Sequence, residues 1–228
     1  MSRGHAPNVG RTGGQCRAVE GPRAARPAGG PGAALRAGLA ATTARRSIYA
    51  SYGHIVRGKH AAMEIPRVSR PYMPGYGISG PAEGSGLLEW SWAAERLTAA
   101  RNYWVATVWP TGRPHLMPVW GMWDDSTLWF SSAAGSRKTK NLRADPHCVI
   151  STESASDPVI IEGTARVVTE PAALQRVIDL MNAKYRTHIE VGFLDPSVNA
   201  TFGVRPLRVF GMRDADFTGS PTRWIFED

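Results

Sequence analysis

Ser131, Ser132, Ser136, Arg137, Lys138 and Lys140 fall within ten positions and combine hydroxyl donors with full positive charges. That mixture suits an oxyanion such as a phosphate. A helix beginning at Ser136 would add unpaired N–H groups and a partial positive charge, which together form an anion site. A charge-assisted hydrogen bond is worth about 1.5–3 kcal/mol, so three or four aimed at one phosphate would hold a cofactor. The spacing alone also fits a solvated basic helix face with a serine cap.

The local elements must place these groups together. Thr127–Ser131 is rich in aromatic and β-branched residues and is predicted as a strand. Ser136 is the expected N-cap, Arg137 to Arg143 contains neither Gly nor Pro, and Pro146 lies just past the end, so a short helix is predicted there. Between strand and helix lies Ala133-Ala134-Gly135, small enough for a ligand to approach the backbone.

Charge is distributed unevenly. Residues 1–62 hold ten Lys or Arg and one acid, a net +9, while residues 63–228 hold 17 basic and 18 acidic residues, a net −1. The overall +8 therefore belongs to the N-terminal segment, and no basic folded face points to nucleic acid. Two cysteines, Cys16 and Cys148, exclude a disulfide framework and a Cys-rich metal site and fit a reducing cytoplasm. No run of 18 apolar residues is present to span a membrane as a helix.

Residues 1–62 are Gly-, Pro-, Ala- and Arg-rich without periodicity, a composition expected to be a disordered tail. A transit peptide, a twin-arginine signal at Arg45-Arg46 without an apolar run behind it, and a translation start at Met63 are the readings this tail allows, the last being favoured. Residues 63–86, with RPYMPGYG from Arg70, read as an ordered arm or a linker, and residues 87–228 as the folded domain. From Leu87 a helical pattern runs to about Asn102. Strands are then expected at Tyr103–Trp109, His115–Trp123 and Thr127–Ser131, and after the basic helix at His147–Thr152 and Pro158–Thr169, with Gly163 a candidate bulge. Pro171 opens a helix with an apolar stripe at Leu174, Val177, Ile178, Met181 and Tyr185. Strands near Ala200–Met212 and Pro221–Phe226 complete six or seven, a mainly β class with helices that suggests a small packed barrel.

GRPHLMPVWGMW, LWFSSAAGSRKTKNLRADP and VIIEGTARVV occur in that order, and with them the chain resembles the pyridoxamine 5′-phosphate oxidase-like split β-barrel family, in particular its branch of flavin- and deazaflavin-dependent oxidoreductases. The resemblance runs from about Arg70 to Phe226. It implies a homodimer that binds FMN, or coenzyme F420, in a groove shared by two subunits. It places Ser136, Arg137 and Lys138 on the cofactor phosphate, Ser131 and Ser132 facing the cofactor, and Leu116, Met117, Pro118, Val119 and Trp120 along the ring. Met117 and Met122 stand where the flavin oxidases carry charged residues, and their substrate-binding Arg-x-His near the C-terminus is absent, so pyridoxamine phosphate oxidase activity is not expected. F420 is the expected cofactor and FMN the alternative.

Among the remaining groups, no metal-site or nucleophile-elbow pattern is present. His115 on the ring-lining strand is read first as a partly buried strand residue and second as a donor to cofactor or substrate. Of the tryptophans, Trp120 and Trp224 are expected to face a ligand and the others to pack the core. Two functions follow: hydride transfer between F420 and a planar electrophilic substrate, with no protein acid or base required, or a module that carries a flavin, haem or tetrapyrrole without turnover.

Overall fold

The computed structural model describes residues 66–226, Asp125 excepted. The tail at residues 1–62 lies outside the described residues. Among the described residues nine strands form one antiparallel sheet: β1 (Arg67–Ser69), β2 (Asn102–Val108), β3 (Pro114–Trp120), β4 (Met122–Asp124), β5 (Thr127–Ala133), β6 (His147–Thr152), β7 (Val159–Val168), β8 (Asn199–Gly211) and β9 (Thr222–Ile225). The helices are α1 (Trp90–Ala99), α2 (Arg137–Ala144) and α3 (Pro171–Tyr185), with single 3₁₀ turns at Val191–Leu194 and Asp214–Asp216.

The strand order is β1-β9-β8-β7-β6-β2-β3, and β8 is long enough to serve two partners on one edge. Its first half pairs with β5, from Asn199↔Ala133 to Val204↔Leu128, and its second half with β9, from Arg208↔Ile225 to Gly211↔Thr222. At the far end β3 comes against β5 with no ladder between them, so the barrel is not closed but split along that seam.

Alternation explains the packing. Tyr103, Val105, Leu128, Phe130, Ile150, Ile161, Phe202 and Val204 point inward and are fully or almost fully buried, with Leu97 of α1 closing the core. Burying one such side chain contributes about 1.5–3 kcal/mol. A second cluster lies outside the sheet, where the stripe Leu174, Val177, Ile178, Met181 and Tyr185 of α3 covers Met122 and half-buried Trp129. Met122 is therefore packed under α3, away from the run at Ser136.

Two departures from the sequence expectations have identifiable physical causes. The strand expected over His115–Trp123 breaks at Gly121, where an added Cβ would lie 2.7 Å from the Tyr103 ring, so only glycine admits that approach. Arg67–Ser69 is a strand because it pairs with the short β9, a long-range contact invisible to local pattern. Residues 70–86 run as an arm along the C-terminal segment: the Arg70 guanidinium donates to the carbonyls of Pro221 and Gly80 at 2.8 and 3.1 Å, and Leu88 N–H donates to Thr222 Oγ1 at 2.8 Å. The bulge expected at Gly163 is present as a register shift between Glu162 and Gly163. No helix among the described residues is long and apolar enough to cross a membrane.

Candidate functional site

α2 begins where the strand-loop-helix pattern requires. Ser136 is its N-cap, and Ser136 Oγ accepts from Thr139 N–H at 3.3 Å. Thr139 is fully buried and its Oγ1 donates to Ala133 O at 3.0 Å, which ties the first helical turn back to the end of β5.

The serines and the lysine form one chain of hydrogen bonds. Lys138 Nζ lies 3.1 Å from Ser132 Oγ, Ser132 Oγ lies 2.9 Å from Ser136 Oγ, and Ser136 Oγ lies 3.1 Å from Thr139 Oγ1. An ammonium only donates and a carbonyl only accepts, so the two ends fix the direction. Every hydroxyl hydrogen runs away from Lys138 and toward Ala133 O. The hydroxyls thus hold the lysine in place and are not spare donors, while the remaining ammonium hydrogens and the first N–H groups of α2 are what the site offers an anion. Burial lowers the Lys138 pKa from its usual value.

Arg137 takes a different position. Its guanidinium stacks over the Trp109 ring, with Cζ 3.5 Å from the centroid, while Arg113 lies 5.4 Å over the same ring. Trp109 is therefore the platform for two cations, a role that sequence reasoning assigned to core packing. The signal was available: the turn Pro110-Thr111-Gly112 reverses the chain, Gly112 takes φ +82°, and Trp109 and Arg113 end up bonded across it, with Trp109 N–H donating to Arg113 O at 2.9 Å.

His115 belongs to the same cluster. Its pKa is lowered by partial burial first and then by the charges of Lys138, Arg137 and Arg113. No ion pair joins any of these three cations to a carboxylate among the described residues. A positive group collected without counter-charge is a fitting place for a phosphate.

The other residues singled out by sequence divide. Ser131 does not join Ser132, because successive side chains of a strand point to opposite faces; its Oγ donates to Ala200 O at 3.3 Å instead. Lys140 is exposed on α2, beyond the first turn. On β3, Leu116, Met117, Pro118 and Trp120 are exposed, whereas the Val119 side chain is buried in the core, so Val119 offers only its backbone to a ligand. Trp120 stacks on Tyr185 at 4.3 Å with an 8° interplanar angle and remains 45% exposed. Trp224 is a correction: it is 0% exposed and packs edge-on against Trp90 at 5.6 Å, a core residue with no face for a ligand.

A polar knot behind Trp120 was not anticipated. Tyr185 Oη accepts from Gly121 N–H at 2.8 Å and donates to Arg101 O at 2.5 Å, while Lys184 Nζ donates to Gly121 O at 2.6 Å and to Tyr103 Oη at 3.1 Å. Burial lowers the Lys184 pKa to about 8. The knot fixes the break between β3 and β4 and so the angle at which Trp120 is presented.

Two broader concavities lie nearby. One, of about 720 Å³, is lined by Ala106, Val108, Pro114, Val149, Arg208 and Phe226 among others and reaches the site at Thr107. The other, of about 630 Å³, lies across Trp129, Gly203 and Arg205 and does not touch it. No group of three His, Cys, Asp or Glu among the described residues is placed to hold a metal ion.

Comparison with known proteins identifies the family. The chain is similar to the conserved hypothetical protein Rv2991 of Mycobacterium tuberculosis, with 26% identity over 54% of this chain and 82% of that one and a TM-score of 0.49. It is similar to an F420 reductase at 22% identity, covering 50% of this chain and 93% of that one with a TM-score of 0.43. It is also similar to HutZ, the heme storage protein of Vibrio cholerae, at 19% identity over 49% and 85% with a TM-score of 0.42. No curated protein matches it. The family model for pyridoxamine 5'-phosphate oxidase matches residues 93–212, from α1 through β8 and thus across the whole cation cluster, and the chain belongs to that family.

Proposed function

We propose that this protein is an oxidoreductase that binds a phosphate-bearing flavin or deazaflavin, coenzyme F420 in preference to FMN, and passes hydride between it and a planar electrophilic substrate. The observation that carries the reading is Lys138: a partly desolvated ammonium, oriented by Ser132 and Ser136 at the N-terminus of α2, beside Arg137 and Arg113 and without a carboxylate partner among the described residues. These residues fit a phosphate. When bound, the deazaflavin or flavin ring supplies the hydride chemistry.

The chain's own residues would bind and orient. Lys138 and the first N–H groups of α2 would hold the phosphate, and Leu116, Pro118 and the exposed face of Trp120, which share one face of β3, would lie along the ring. The preference for F420 rests on charge: Met117 brings none to the phosphate, while Lys140 and Arg143 stand exposed along α2, where the carboxylates of the oligoglutamate tail can spread. FMN ends at its phosphate and has no such second anchor.

Turnover separates an enzyme from a carrier. Reduced F420 mixed with the protein and a quinone, as a planar electrophile, should be oxidised in proportion to quinone reduced, above the rate without protein. Tight binding with no such acceleration across quinones and tetrapyrroles would leave a binding module and reject the enzyme reading.

A further inference from the structure

Two polar side chains beneath the cation cluster have no part in the phosphate contacts proposed above. Asn141, on α2, is fully buried, and its Nδ2 donates to Thr107 Oγ1 at 3.0 Å. Thr107, on β2, is 3% exposed, and its Oγ1 lies 3.4 Å from Nδ1 of His115, its register partner on β3. Asn141 Oδ1 is buried without a partner among the described residues. A buried amide with an orphaned oxygen is a poor way to fill a core, so packing alone does not account for it.

The direction of the relay follows from donor chemistry. An amide N–H only donates, so the Thr107 oxygen accepts from Asn141, and its own hydrogen is free to point at His115 Nδ1, 3.4 Å away. A ring nitrogen that accepts carries no proton, which puts the hydrogen of the neutral imidazole on Nε2. Protonating Nδ1 as well would remove Thr107's acceptor and set a further positive charge against Lys138, Arg137 and Arg113, the groups that already depress this titration together with burial. The relay and the neighbouring cations both favour the neutral ring with its hydrogen on Nε2.

We infer that His115 is a second, uncharged anchor for the anionic ligand: the Asn141–Thr107 relay locks its ring so that Nε2–H donates into the site that Lys138 and Arg137 make positive. This rests on the phosphate reading above and adds to it a donor whose geometry is fixed before the ligand arrives. It also assigns Asn141 and Thr107 as positioning residues that act through His115.

Two measurements on the full chain test it. Long-range ¹H–¹⁵N correlation spectra, with His115 assigned by its loss in His115→Gln, should show the Nε2–H tautomer in ligand-free protein at pH 7.5, and Thr107→Val should release the second tautomer. An Nδ1–H or doubly protonated ring in the wild type would overturn the relay. In fluorescence titrations with F420 and FMN, His115→Asn should bind whichever cofactor the wild type binds about tenfold more weakly, and His115→Gln, whose amide nitrogen reaches as far as Nε2, should recover most of that loss. Normal wild-type binding with equal affinities for the Gln and Asn variants would sink the anchor alone. Failure of the wild type to bind either cofactor would sink the phosphate reading, and with it the donation.

Discussion

Lys138 Nζ donates to Ser132 Oγ at 3.1 Å, across the loop that joins β5 to α2, and the hydroxyls behind Ser132 all point away from the ammonium. The lysine is held at the helix N-terminus by oxygens that ask nothing else of it. Lys138→Ala should therefore weaken cofactor binding by about ten- to a hundredfold, one charge-assisted contact, whereas Lys140→Ala, one position past the first turn and exposed, should cost threefold or less. Isothermal titration of both variants checks this. Equal, small effects would mean that the run is only a solvated helix face.

Ser132→Ala should separate holding from binding. It removes the lysine's acceptor and breaks the hydroxyl chain but leaves the charge, so the loss should be smaller than for Lys138→Ala. Combining the two should add little to Lys138→Ala alone, because the serine acts through the lysine. A double-mutant cycle in which the two losses simply add would show instead that Ser132 contacts the ligand independently.

Lys184 gives a pH signature. Its folded pKa of about 8 lies below the usual 10.5, so the charged form is disfavoured in the folded state. The resulting deficit in stability is fully present below pH 8 and is relieved as pH rises from 8 toward 10.5. Unfolding in urea at pH 7.5 and 9.5 should show the wild type gaining relative to Lys184→Met, which lacks the titration. A gain of the same size in both would remove Lys184 as the cause.

The outer face of β2, β3 and β6 carries Trp104, Val108, Leu116, Trp120 and Val149, each between 39% and 57% exposed. The register aligns them: Trp104 opposes Pro118, Ala106 opposes Leu116 and Val149. A contiguous apolar surface of this kind marks an interaction site. We propose that it is where two copies of the chain meet. Sedimentation at micromolar concentration should show a dimer, and Leu116→Asp should shift it to monomer. A wild type that is monomeric at that concentration would contradict the proposal.

Legibility followed the range of the interaction. α3 was readable at Pro171–Tyr185 and β6 at His147–Thr152 because their apolar spacing is local, and the Ser136 cap was readable because capping is a matter of three residues. β1 was not, since Arg67–Ser69 becomes a strand only through Ile225, Trp224 and Arg223. Ser131 was expected to face the cofactor together with Ser132, but strand alternation turns their side chains to opposite faces, and Ser131 Oγ bonds Ala200 O. Trp224 was misread because a tryptophan in a short C-terminal strand carries no mark of whether its ring meets a ligand or Trp90. The Thr107–His115 pairing was open to inference from the hairpin register, but the buried amide of Asn141 joining them comes from a helix and shows only in the fold.

An anionic cofactor with a charged tail would be held in part by exposed charges, and salt tests this directly. Lys140 and Arg143 are exposed, so contacts between them and tail carboxylates are screened as ionic strength rises, while contacts at half-buried Lys138 are screened less. Fluorescence titration of the purified full chain with F420 and with FMN, at low and high salt, should show F420 binding more tightly than FMN and losing affinity more steeply with salt. Purification of a yellow protein carrying stoichiometric FMN, with no measurable F420 binding at either salt concentration, would contradict the account.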